Sequence, residues 1–235
     1  PFGKRSEFVL LGFLLVTGIF SMFISNTATA AMMLTFMAPV LRQLPEDDKG
    51  RIGLVMAIPI GANIGGMATP VGTPPNAIAL KYLNDPAGLG FNIGFGDWAM
   101  VMMPFTILLL ILAWLLLIKL FPFKDKEIHL NIEGNTVKGP RLVIAYITLG
   151  LTIVLWLLDK VTGINANTVA MIPIAIFCVT GLFGKEDLKE INWDVLWLVA
   201  GGFALGIALQ QSGLAKNLVE AIPFAQWSPI IVIVG

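Results

Sequence analysis

Long uncharged stretches alternate with short charged ones along this chain. Stretches free of Asp, Glu, Lys and Arg run over 8–41, 52–80, 98–118, 142–158, 161–184, 195–215 and from 221 onward. A membrane-spanning helix needs about 20 apolar residues, so five of these predict ordinary spans, with 142–158 slightly short and the last running to the end of the chain. The first two do not fit. The stretch 8–41 is too long for one span and too short for two, and its middle is polar: Ser25, Asn26, Thr27 and Thr29. It predicts a re-entrant helical hairpin. The second is interrupted by Gly72-Thr73-Pro74-Pro75-Asn76. Two adjacent prolines cannot sit inside a regular helix, because each lacks an N–H and clashes with the preceding turn. A broken helix over 52–83 follows.

Composition narrows the class. Hydrophobic residues make up 57% of the chain and charged residues 13%, whereas soluble domains run at about 45–50% and about 25%. The expected fold is an all-α polytopic membrane protein, multi-pass in an inner or plasma membrane with the lipid bilayer as a partner. Net charge is zero, which argues against nucleic acid as a partner, since that calls for a concentrated basic surface. One cysteine and one histidine exclude an intramolecular disulfide and paired-ligand metal motifs. Because the chain opens on Pro1 and stops inside an apolar run, a segment of a longer protein is expected.

If 8–41 returns to the side it entered from, 12 of the 15 Lys and Arg residues share one side, leaving Lys81, Lys160 and Lys216 on the other. The positive-inside rule then puts both hairpin ends in the cytoplasm. The expected organisation is 1–118 as hairpin (8–41), broken helix (52–83) and span (98–118), 119–141 as a cytoplasmic loop holding a solvated His129, and 142–235 as further spans.

Non-helical backbone survives at membrane depth only when buried in protein or facing a water-filled cavity. Two consecutive breaks therefore predict one polar site. A half-helix starting near Thr27 would aim N–H groups at an anion, and one finishing near Ser25 would aim carbonyls at a cation. Ser21 and Ser25 are four apart, predicting a shared helix face. With the amide of Asn26 they offer neutral hard oxygens, which suit Na⁺ better than a divalent ion. The competing readings are structural. Ser, Thr and Asn often join membrane helices, Ile60, Gly61, Gly65 and Gly66 read as close packing, Asn63 fits either role, and Asn167-Thr168 reads as a helix N-cap. Gly94-Phe95-Gly96-Asp97 imitates an intramembrane aspartyl protease motif, but that chemistry needs two carboxylates sharing a proton, and no span holds a second Asp. No enzyme and no organic cofactor is expected.

Ser25-Asn26-Thr27-Ala28-Thr29-Ala30, then Gly72-Thr73-Pro74-Pro75-Asn76, resembles the divalent anion:sodium symporter family of dicarboxylate, citrate and sulfate carriers. Trp193-Asp194-Val195-Leu196-Trp197 with Gly201-Gly202 resembles the start of that family's second inverted repeat. The resemblance implies that Ser25, Asn26 and Thr27 contact a substrate carboxylate. It implies that Ser21, Ser25 and Asn26, with the carbonyl of Gly72, hold Na⁺ as the coupling ion, and that Thr73 and Pro74 line the substrate cavity. It further implies sodium-coupled symport of a dianion, foremost a C4-dicarboxylate such as succinate, by an elevator-type motion in a homodimer. The family's matching second hairpin has no counterpart in this chain, so half a site is expected. The alternatives are a passive channel with a re-entrant loop and another H⁺- or Na⁺-coupled carrier.

Overall fold

A computed structural model describes residues 5–86, 89–125, 127–128, 139–191, 193–214, 217 and 221. His129 and Lys216 lie outside the described residues, as does the final apolar stretch apart from Ala221. The described residues form ten helices and no strand, with one isolated bridge between Arg5 and Glu127. The chain divides into two units, Pro1–Phe183 and Gly184–Gly235. The first holds α1 (Ser6–Ser21), α2 (Asn26–Leu41), α3 (Gly50–Gly66), α4 (Pro74–Leu83), α5 (Phe95–Leu120), α6 (Pro140–Leu157), α7 (Asp159–Thr162) and α8 (Ala166–Val179). The second holds α9 (Asp187–Glu190) and the apolar α10 (Trp193–Gln211). The protein is an all-α polytopic membrane protein.

Glycines let α1 and α3 pack closely and in parallel. A Cβ on Gly61 would lie 2.7 Å from the Leu14 carbonyl oxygen, and one on Gly65 would overlap the backbone of Gly18. The reading of these two glycines as packing residues is correct. The core around this contact is aliphatic: Val9, Leu10 and Leu14 of α1 meet Leu54, Ala57 and Ile58 of α3, Met33 and Met37 of α2, and Leu110 and Leu117 of α5.

Both ends of the hairpin meet at one end of this body. Ser6 Oγ donates to the carbonyl of Asp125 at 2.5 Å. Asp48, 2% exposed, accepts from the backbone N–H of Gly50 at 2.7 Å and of Lys124 at 3.2 Å. Asp47 pairs with the Lys124 ammonium, which holds its carboxyl below the usual range and raises the Lys124 pKa in turn. Gly50 leaves room for the Phe123 ring. Residues 121–125, with 127 and 128, thus form a strap across the base of the hairpin. The arms are 16 residues each, about 24 Å at 1.5 Å per residue, short of a bilayer core of about 30 Å. At 26 residues, α5 is about 39 Å long and can cross it. Its exposed face carries Ile107, Leu108, Ile111, Leu112 and Leu115, a surface suited to lipid or to further apolar helices.

The boundaries differ from expectation in three places. The break in 52–83 falls at 67–73, because Pro74 and Pro75 occupy the first turn of α4, where a missing N–H costs nothing. The stretch 161–184 holds the end of α7 and then only the 14 residues of α8, because Gly163 and Gly181 adopt φ +67°, a left-handed conformation that ends regular helix on either side. The N-cap of α8 is Asn165, whose side chain accepts from the N–H of Asn167 at 2.8 Å, so Asn167-Thr168 is not the cap. Length and composition qualify two described helices as spans, α5 and α6.

Candidate functional site at the hairpin tip and the broken helix

The tip is where α1 ends and α2 begins. The last turn of α1 closes on itself, with Met22 N–H bonding the carbonyls of Gly18 and Ile19. Ser25 then caps α2, its hydroxyl accepting from the N–H of Ala28 at 3.3 Å. Ser21 and Ser25 therefore lie on opposite sides of a turn rather than on one helix face. The expected shared face fails because residues 22–25 are not helical. The two half-helices do meet with opposite polarity. The carbonyl end of α1 carries about −0.5 of a charge and the N–H end of α2 about +0.5. The N–H groups of Asn26 and Thr27 have no acceptor within the helix.

Asn26 links the tip to α3. Its Oδ1 accepts from Ser21 Oγ at 2.7 Å, and its Nδ2 donates to Asn63 Oδ1 at 3.0 Å. This amide lies against the last residue of α3: a Cβ on Gly66 would sit 2.5 Å from Asn26 Oδ1. Gly72, in turn, is packed against the Gly66 carbonyl. Ser21, Asn26 and Gly72, three of the residues expected to hold a cation, thus gather around Gly66. Ser25, Thr27 and Pro74 are exposed at the starts of α2 and α4, and Thr73 is half-buried between Gly72 and Pro74. Thr73 is extended, and its side chain makes no cap bond.

The break at 67–73 is held by side chains that sequence reasoning did not place in the site. Asn76, buried in the first turn of α4, donates to the carbonyls of Gly66 and Thr69, both at 2.8 Å. Thr69 Oγ1 donates to the Met22 carbonyl at the hairpin tip and accepts from Gly72 N–H at 3.1 Å. Trp98 Nε1 of α5 donates to the Met67 carbonyl at 3.1 Å. The signals for Asn76 and Asn63 were polar side chains flanking a break. Their partners come from other turns or other elements, which spacing alone does not show.

Gly94-Phe95-Gly96-Asp97 is a helix start. Asp97 Oδ2 accepts from Gly94 N–H at 2.7 Å and pairs with Lys160 at 2.6 Å. Beyond α4 lies a cavity of about 880 Å³, lined by Pro70 and Val71 of the break, Lys81 of α4, and Trp156, Asp159 and Asn167 of α6 to α8, among others.

The donors at the tip are hydroxyls, amides and backbone groups. The described residues contain no cluster of three or more His, Cys, Asp or Glu able to hold a metal. A neutral oxygen set of this kind fits a monovalent cation.

Comparison with known proteins agrees with this architecture. A family model described as "Citrate transporter" matches residues 2–235. An uncharacterized transporter of Schizosaccharomyces pombe is 37% identical over 94% of the chain. The low-affinity phosphate transporter PHO90 of Saccharomyces cerevisiae is 31% identical over 94%. The sodium-dependent dicarboxylate transporter SdcS of Staphylococcus aureus is 31% identical over 99%. The chain spans 25% of the length of the first two relatives and 51% of the third. These relatives are transporters rather than enzymes, and the chain belongs to the citrate transporter family.

Proposed function

We propose that this chain supplies one hairpin and one broken helix to a sodium-coupled carrier of a divalent anion, with a C4-dicarboxylate such as succinate as the substrate. The observation that carries the reading is the Asn26 amide, held between Ser21 and Asn63 against the Gly66 end of α3. It sits where the carbonyl end of one half-helix meets the N–H end of another. Hydroxyl and amide oxygens there suit a monovalent cation, and the orphan N–H groups of α2 suit an oxyanion. In this reading Ser21, Ser25, Asn26 and the Gly72 carbonyl hold Na⁺, while Thr27, Thr73 and Pro74 face the substrate with Ser25 and Asn26. Coupling follows from charge. The residues that form the tip include no fixed cation, so a dianion is held weakly until Na⁺ is beside it.

The relative named as a phosphate transporter supports a second substrate, hydrogen phosphate, which is also an oxygen-rich dianion. Uptake by the complete transporter carrying this chain, in proteoliposomes with and without a Na⁺ gradient, separates the readings. Labelled succinate is expected to enter with Na⁺, and Asn26→Ala to cut that uptake to below about a tenth, since a bond to a charged ligand contributes about 1.5–3 kcal/mol. Phosphate uptake without succinate uptake would replace the substrate. Succinate uptake indifferent to both Na⁺ and Asn26 would overturn the mechanism.

A further inference from the structure

Several threonines in or ending helices of this protein return their hydroxyl to the preceding turn. Thr17 donates to the Phe13 carbonyl at 2.6 Å, Thr35 to Ala31 at 3.1 Å, Thr152 to Thr148 at 2.8 Å and Thr180 to Ile176 at 2.7 Å. Thr29 does not. It lies in the first turn of α2 with 0% exposure, and its Oγ1 is buried without a partner. Buried polar atoms almost always find one, and leaving a hydroxyl unpaired is costly.

Position gives this orphan a meaning. Thr29 is three residues beyond Asn26, so the two share one face of α2, and Asn26 uses that face to reach α3 through Asn63. We infer that Thr29 is a further ligand of the coupling cation, its hydroxyl oxygen joining the oxygens of Ser21, Ser25, Asn26 and Gly72 in a neutral shell. A hydroxyl keeps two lone pairs, and an amide oxygen that accepts one hydrogen bond keeps one, so each of these oxygens can still face an ion. The inference rests on the sodium-coupled reading above and adds a residue to it. Among the described residues the other buried hydroxyl without a partner, Thr106, lies on α5 and shares no face with Asn26. It serves as the comparison.

The test uses the purified complete transporter in detergent, without substrate. Melting temperature is followed as Na⁺ replaces choline at constant ionic strength. Thr29→Val keeps the shape and removes the hydroxyl. It is expected to melt higher than wild type in choline, as relief of an unpaired polar group predicts, and to need about tenfold more Na⁺ for the same stabilisation. Thr29→Ser is expected to respond to Na⁺ as wild type does. Thr106→Val calibrates the gain from removing an orphan hydroxyl alone. Should Thr29→Val fail to fold, Thr29→Ala carries the same comparison. A wild-type Na⁺ response retained without the hydroxyl overturns the role of Thr29 and leaves the sodium reading standing. A wild-type protein that Na⁺ does not stabilise beyond choline overturns both.

Discussion

Gly65 and Gly66 are neighbours in sequence, yet the same added methyl meets different matter at each. At Gly65 a Cβ would overlap the backbone of Gly18, with the Gly18 carbonyl carbon 2.6 Å away. Backbone cannot rotate aside, so α1 and α3 must part, and overpacking of this kind typically costs about 1–3 kcal/mol. At Gly66 the Cβ meets the Asn26 amide, a side-chain end that can turn away at the expense of its bonds to Ser21 and Asn63. Gly65→Ala is therefore expected to lower the melting temperature of the complete transporter. Gly66→Ala is expected to leave it nearly unchanged while Na⁺-dependent uptake falls by an order of magnitude or so. Equal melting temperatures and equal uptake in the two variants would contradict this division between packing and site. The small-residue spacing of Gly61 and Gly65 was legible in the sequence as a packing seam. That Gly66 faces a site amide was not, because the seam and the site occupy consecutive positions of one helix and differ only in what lies opposite.

At the scale of elements, the hairpin depends on its base as much as on its tip. Asp48 ties the start of α3 to the strap at Lys124 through two backbone N–H groups. Asp48→Ala would strand the buried Gly50 N–H, at about 1–3 kcal/mol for an unpaired group, and release the part-buried Lys124 N–H; it is expected to lower the melting temperature. Asp47 and Lys124 pair in solvent, where such bridges contribute little. Because the Asp47 carboxyl lies below its usual value of 3.8, its contribution is present above that value and fades as pH falls through the lowered one. An Asp47→Asn variant should therefore track wild type closely near neutrality and match it in acid, as a pH series of thermal melts would check. The hairpin and the broken helix were readable because polar residues and paired prolines stand out against a charge-free background. The short α8 was not, because absence of charge marks what can lie in a membrane and says nothing of where helix stops. The stops belong to Gly163 and Gly181, whose left-handed backbone is a property of the turn each one makes.

For the molecule as a transporter, the packing within the first unit suggests which parts travel together. The arms of the hairpin, α3 and α5 share one core, and the strap locks their base. By contrast, α6 packs chiefly on α8, and between α4 and the α6–α8 group lies the cavity that reaches the break at Pro70 and Val71. A cavity between a tightly packed body and its neighbour is where sliding would open and close space. If alternating access moves α1 to α3 and α5 as a rigid piece, with α4 tied to it through Asn76, past α6 to α8, the two walls of this cavity must change their separation in every cycle. Ala77 on α4 and Ala170 on α8 both line this cavity. In a cysteine-free background that also replaces the exposed Cys178, cysteines at these two positions joined by a bifunctional thiosulfonate are expected to arrest uptake, and reduction of the link to restore it. A pair joined inside the moving piece, between α1 and α3, should leave uptake intact under the same treatment. Full uptake with the Ala77 and Ala170 positions verifiably linked would mean that these walls do not move against each other. Access would then have to alternate by local motion of the hairpin tip alone, and the neutral site around Gly66 would be gated by the turn at residues 22–25 instead of carried across the membrane.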